Sequence, residues 1–222
     1  MSLLSDPLRA IRIEAVSILA DVPLASATAD QRAAFERAAK EYVASQRFNA
    51  DRADARVNLG SFEARRGNAA RAEQELKGAI TLDPLFVPAY VNLADLYRAQ
   101  GKDAEAQTVL RQGLERSPKS AALHHALGLA LVRAKQSDKA LAELALATKL
   151  DPTNARFAYV YGVALHSAGR VDAAIETLVK TSALHPSDAD ILRALVSFYR
   201  DRGNAAEAQR YTERLRNVEN ER

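Results

Sequence analysis

Apolar and small residues recur along this chain with a constant step. The segment AALHHALGLALVRAKQSDKALAELALATKLDPTN, residues 121–154, meets a relative of itself on every displacement by 34 residues. Copies begin at Ala53, Val87, Ala121, Ala155 and Ala189. Within each copy the apolar positions fall at helical spacing in two runs, separated by a polar turn. A period of this length marks a repeat array, in which a unit hides its apolar face only by stacking on its neighbours. The pattern predicts an all-α fold of paired antiparallel helices.

The turn residues carry the same period. Gly67, Gly101, Gly169 and Gly203 stand where the first helix of a copy ends, which asks for a left-handed residue. Lys135 stands at that place in the third copy, so it either accepts the left-handed conformation or the turn differs. Pro84, Pro118, Pro152 and Pro186 follow the second helix and stop it. The last helix, roughly residues 205–218, has one apolar face (Ala208, Tyr211, Leu215, Val218) and a charged remainder. It reads as a solvent-facing cap, with the array expected to end there.

These copies resemble the tetratricopeptide repeat (TPR) family. Leu59, Gly60, Gly67, Ala72, Leu76, Ala79 and Pro84 carry the pattern in the first unit. Tyr90, Leu93, Ala94, Tyr97, Gly101, Ala106, Leu110 and Pro118 carry it most fully in the second. The resemblance implies an all-α, right-handed superhelical solenoid with units at 53–86, 87–120, 121–154, 155–188 and 189–219. In each unit the small residue (Gly128) is expected to face the partner helix's alanine (Ala140) and bring the two helices close.

Residues 1–52 precede the regular array. The stretch DPLRAIRIEAVSIL, residues 6–19, has a 3.6-residue apolar period and predicts a helix. Its Asp6, Pro7, Ile11, Arg12, Ala15 and Leu19 resemble the second half of a HEAT repeat, which would make the chain a fragment starting in mid-repeat. A second helix over about 31–47 places Ala38 and Tyr42 where the first full unit has Ala72 and Leu76, as an incomplete unit would. Thr28 or Asp30 is positioned to cap it.

Composition excludes more than it identifies. With no cysteine, disulfides, thiolate zinc sites and cysteine nucleophiles are all ruled out. No apolar run approaches the roughly 20 residues that span a bilayer, so no membrane partner is expected. A net charge of +3 is spread over many helices, beside acidic residues and few aromatics, so no nucleic-acid partner is expected either. The compartment stays open: cytoplasmic by default, periplasmic for part of a larger exported protein.

No glycine-rich phosphate loop, HExxH, GxSxG or EF-hand pattern occurs, and neither enzymatic activity nor a cofactor is expected. His124 falls at a packing position and His185 in a loop. His125 and His166 fall on the first helices of adjacent units, but a third metal ligand is not evident.

In TPR proteins the first helices line a concave groove, and the resemblance assigns it residues here. These are Asn58 and Arg65 from the first unit, and Asn92, Asp95 and Arg98 from the second. The third supplies His125, Leu129 and Arg133, with Val132 beside them. The fourth supplies Arg156, Tyr159, Val163 and His166, and the fifth Arg193 and Arg200. An apolar middle rimmed by arginine suits a peptide with apolar anchors and carboxylates. Asn58 and Asn92 match a family asparagine that holds ligand backbone. The family clamp for C-terminal carboxylates is not expected, because Val57 and Ser61 occupy its positions.

The resemblance thus implies a non-catalytic scaffold for a protein or peptide ligand. Two alternatives stand beside it. One is the C-terminal accessory region of a larger bacterial protein, of the kind whose N-terminal half binds haem. The other is a self-associating assembly module.

Overall fold

The computed structural model describes residues 2–220, and among them there are helices and no strand. After a 3-10 turn at Ser2–Ser5 come α1 (Arg9–Ile18), α2 (Ala29–Phe48), α3 (Ala53–Arg65), α4 (Ala69–Leu82), α5 (Val87–Ala99) and α6 (Asp103–Arg116). They are followed by α7 (Ala121–Arg133), α8 (Ser137–Leu150), α9 (Ala155–Ser167), α10 (Val171–Leu184), α11 (Ala189–Asp201) and α12 (Ala205–Asn220). The chain divides between Arg116 and Ser117 into two compact units.

In the first unit α1 packs on α2, and α3–α4 and α5–α6 form antiparallel pairs joined by contacts of α2 with α3 and of α4 with α5. The N-terminal helix begins at Arg9 rather than at Asp6. The Asp6 carboxylate instead accepts the Leu8 N–H at 2.8 Å, leaving Asp6 and Pro7 outside the helix. Arg12 then ties the segment down. It donates to both Glu41 carboxylate oxygens at 3.0 and 2.9 Å, and to the Asp6 and Pro7 carbonyls at 2.7 and 3.0 Å. Thr28 caps α2 in a capping box with Gln31, each side chain bonded to the other's backbone. Leu4, Val16, Phe35, Ala38, Ala39, Tyr42 and Phe62 share one core. Arg66 closes it from outside, 5.5 and 5.7 Å over the Phe35 and Phe62 rings and paired with Glu36 at 2.7 Å.

In the second unit the pairs are α7–α8, α9–α10 and α11–α12, each second helix also touching the next first helix. Its core gathers Leu141, Leu165, Leu178, Ile191, Leu195, Phe198 and Tyr211. Gly128 and Gly162 each lie directly against a leucine of the partner helix, Leu144 and Leu178, so the neighbour of Gly128 is Leu144 rather than the expected Ala140. Lys135 adopts the left-handed conformation, with φ of 56°, beside 78°, 73°, 76° and 78° at the four turn glycines. The turn is therefore the same, and lysine carries its strain. Helix α12 buries only Ala208 and Tyr211 and half-buries Leu215 and Val218. Arg210 and Arg214 cover the outer side of the Tyr211 ring at 5.8 and 5.1 Å.

Candidate functional site

The first helices of each unit present the positions that the sequence marks as a groove, and the two units use them differently. In the first unit the polar candidates are largely occupied by one another. The Asn92 side chain accepts from Ser61 Oγ at 3.1 Å and donates to the Pro88 carbonyl at 2.8 Å. It links α3 to α5 rather than standing open for a ligand's backbone, a correction to its expected role. Asp95 and Arg98 pair with each other at 3.2 Å on one helix face. Asn58 and Arg65 are exposed, and the Asn58 backbone carbonyl receives the Tyr42 hydroxyl at 3.4 Å.

In the second unit four of the expected residues converge. Leu129 and Val132 of α7 and Tyr159 and Val163 of α9 face one another across a hollow of about 290 Å³, floored by Ser137, Ala140 and Leu141 of α8. Positions i, i+3 and i+4 share one helix face, which brings Leu129 beside Val132 and Tyr159 beside Val163. The lining is mostly apolar, and Val132 remains 45% exposed. Arg156 lies on the same face of α9, one turn before Tyr159, and is exposed, as is Arg133 at the end of α7.

Two of the four histidines, His125 and His166, depart from their expected groove role. His125 is buried, stacked on Phe157 with ring centroids 4.5 Å apart. Burial, and then the positive charge of Arg156, lower its pKa from 6.5 to about 4, so it is a neutral packing residue. His166 is half-buried and stacks on Phe198 at 4.0 Å, nearly parallel, while Asp201 approaches its Nε2 to 3.0 Å without an aligned hydrogen bond. Each ring thus serves as a spacer between successive first helices, and the two do not converge. Among the described residues no cluster of three metal-ligating side chains occurs. His124 bridges the Glu143 carboxylate at 2.6 Å and the Pro118 carbonyl at 3.0 Å, and His185 meets the Thr153 carbonyl at 2.8 Å.

The outer arginines are not a free rim. Arg193 is paired with Asp190 at 2.6 Å and with Glu219 at 3.3 Å. Arg200 lines a separate depression with Ala205, Gln209 and Arg216 of α12. Sequence reasoning missed the floor of the hollow, Ser137, Ala140 and Leu141, because these lie on a second helix. The signal was present: Ala140 is the small residue of its unit, and a short side chain there leaves depth beneath α7 and α9. Among the described residues no helix is long and apolar enough to cross a membrane.

Family models described as tetratricopeptide repeat match residues 63–130 in one case and residues 29–85 and 125–183 in another. The second covers more than half of the chain and takes in α2, ahead of the first full copy. No curated protein sequence matches significantly. Among solved structures, one of MamA is 24% identical with a TM-score of 0.64, covering 73% of this chain and 95% of that one. A second of MamA is 23% identical with a TM-score of 0.64, covering 76% and 92%. YrrB, described as a TPR protein with an unusual peptide-binding site, is 21% identical with a TM-score of 0.59, covering 78% and 90%. At these identities the likeness is one of fold.

Proposed function

Because the chain belongs to the tetratricopeptide repeat family, we propose that it is a non-catalytic interaction scaffold holding a peptide segment of another protein against α7 and α9. An apolar side chain of the ligand enters the hollow between Leu129, Val132, Tyr159 and Val163. The observation that carries this reading is the convergence of those four half-open apolar side chains on one cavity. Burying one large aliphatic or aromatic side chain there contributes about 1.5–3 kcal/mol, enough for a central anchor whose neighbours set register. Arg156 stands one turn before Tyr159 on the same face of α9 as a polar contact, with Asn58, Arg65 and the first unit's other groove residues outside the hollow. The peptide-binding description of YrrB, a protein of similar fold, supports the same class of ligand.

The test is selection of a random displayed peptide library on the intact chain. Enriched peptides are expected to share an aliphatic or aromatic anchor and to bind Tyr159→Ala about tenfold or more weakly, the scale of a lost anchor contact. Val163→Asp, which places a carboxylate in the wall, is expected to abolish binding. Enriched peptides indifferent to both changes would remove the reading.

A further inference from the structure

We propose that the peptide held in this hollow is acidic beside its apolar anchor, and that Arg156 reads that charge; the inference rests on the peptide reading above. Helices α7 and α9 contain no aspartate or glutamate, and their only full charges are Arg133 and Arg156. Two other first helices pair a cation with an anion of their own, as Asp95 does for Arg98 and Asp190 for Arg193. The two helices that wall the hollow thus carry no anion of their own, and Arg156 is the cation on the hollow's face of α9. Arg156 is exposed, and among the described residues no carboxylate pairs with it. Its field is nonetheless felt locally, since it helps to keep His125 uncharged.

Geometry sets the spacing. Arg156, Tyr159 and Val163 follow one face of α9. Three residues of helix rise about 4.5 Å, whereas an extended peptide advances about 3.3 Å per residue. Val163 lies about 10.5 Å along the helix from Arg156, so a ligand running along α9 with its anchor between Tyr159 and Val163 brings a residue one to three places away over Arg156. Aspartate or glutamate at that place meets the planar guanidinium in a charge-assisted pair. A neutral residue leaves the arginine solvated, and a lysine meets a like charge.

The experiment selects the same random peptide library on the wild-type chain and on Arg156→Glu, with circular dichroism to confirm folding. Glutamate is tolerated there because it lies in the first turn of α9, where a negative charge complements the helix dipole. On the wild type, enriched peptides are expected to carry Asp or Glu one to three residues from the anchor, and to bind less tightly as salt rises. On Arg156→Glu, enrichment is expected to exchange to Lys or Arg. The acidic peptides are then expected to weaken by roughly fivefold or more, as for an exposed pair turned into a like-charge contact. Acidic peptides enriched equally on both proteins, or wild-type peptides with no acidic bias, would overturn the charge inference and leave the anchor reading standing. Peptides that keep their affinity for Val163→Asp, or no enrichment at all, would overturn both.

Discussion

A β-carbon placed on Gly128 would lie 2.7 Å from both Cγ and Cδ2 of Leu144, and 3.3 Å from the Leu144 backbone nitrogen. Gly162 stands in the same relation to Leu178, and Gly60 to Leu76, again with nearest approaches of 2.7 Å. The leucines are fully buried, so their branch points have nowhere to retreat. Overpacking of this kind costs about 1–3 kcal/mol, whereas replacing glycine by alanine within a helix gains about 1 kcal/mol. Gly128→Ala is therefore expected to be a net loss, and Gly128→Leu a larger one. Each kcal/mol should lower the melting temperature by about 2–4 °C for a chain of this size. A melting temperature raised by Gly128→Ala would show that α8 shifts freely.

Lys135 offers the opposite opportunity. It holds a φ of 56° at a place where the other turns use glycine. A left-handed conformation costs a residue with a β-carbon about 1–2 kcal/mol, partly offset by glycine's greater freedom in the unfolded chain. Lys135→Gly is expected to raise stability by up to about 1 kcal/mol, read from the urea midpoint. Gly203→Ala, at φ of 78° with nothing within 4 Å of its would-be β-carbon, should lose about as much through backbone strain alone.

His125 makes stability depend on pH. Its folded pKa is lowered to about 4 from 6.5, first by burial and then by Arg156. The unfolded chain therefore binds the proton more readily. The stability that this residue contributes is complete above about pH 6.5 and is lost as pH falls toward 4. His125→Phe preserves an aromatic ring against Phe157 and removes the titration. Urea midpoints at pH 7 and pH 5 should differ less for the variant than for the wild type. Equal differences would place the proton elsewhere.

Arg12 holds the N-terminal helix by four hydrogen bonds to Glu41, Asp6 and Pro7. Hydrogen bonds involving a charged group contribute about 1.5–3 kcal/mol when shielded, and less where both partners are partly exposed, as here. Arg12→Ala is expected to speed amide exchange selectively in residues 9–18, by roughly tenfold for each 1.4 kcal/mol of local opening. Uniform acceleration across α2 and α3 would mean that α1 is instead part of the first unit's cooperative core.

Much of this fold was legible because its signature residues answer single geometric demands. Gly67 and Gly169 announce a left-handed turn, and Thr28 with Gln31 announces a helix start. Asp6 was harder, since an Asp-Pro pair beside a helical period does not say whether the aspartate joins the helix or turns the chain ahead of it. The groove was legible only as a face. The family resemblance placed Asn92, His125 and Leu129 on that face alike, yet Asn92 is engaged by Ser61, His125 is sealed against Phe157, and Leu129 is left open. What separates them is the side chain arriving from the neighbouring helix, a choice between partners at a distance of one unit that no local pattern encodes.

Gly128 and Leu129 are consecutive in the chain, as are Gly162 and Val163, and yet they answer to opposite constraints. The glycine is pinned by the leucine behind it, while the residue beside it borders an open cavity. Mutation can thus reshape the open cavity at 129 and 163 without touching the joints at 128 and 162. A lineage of such chains is free to vary the shape of that opening while its scaffold stays fixed, one residue apart.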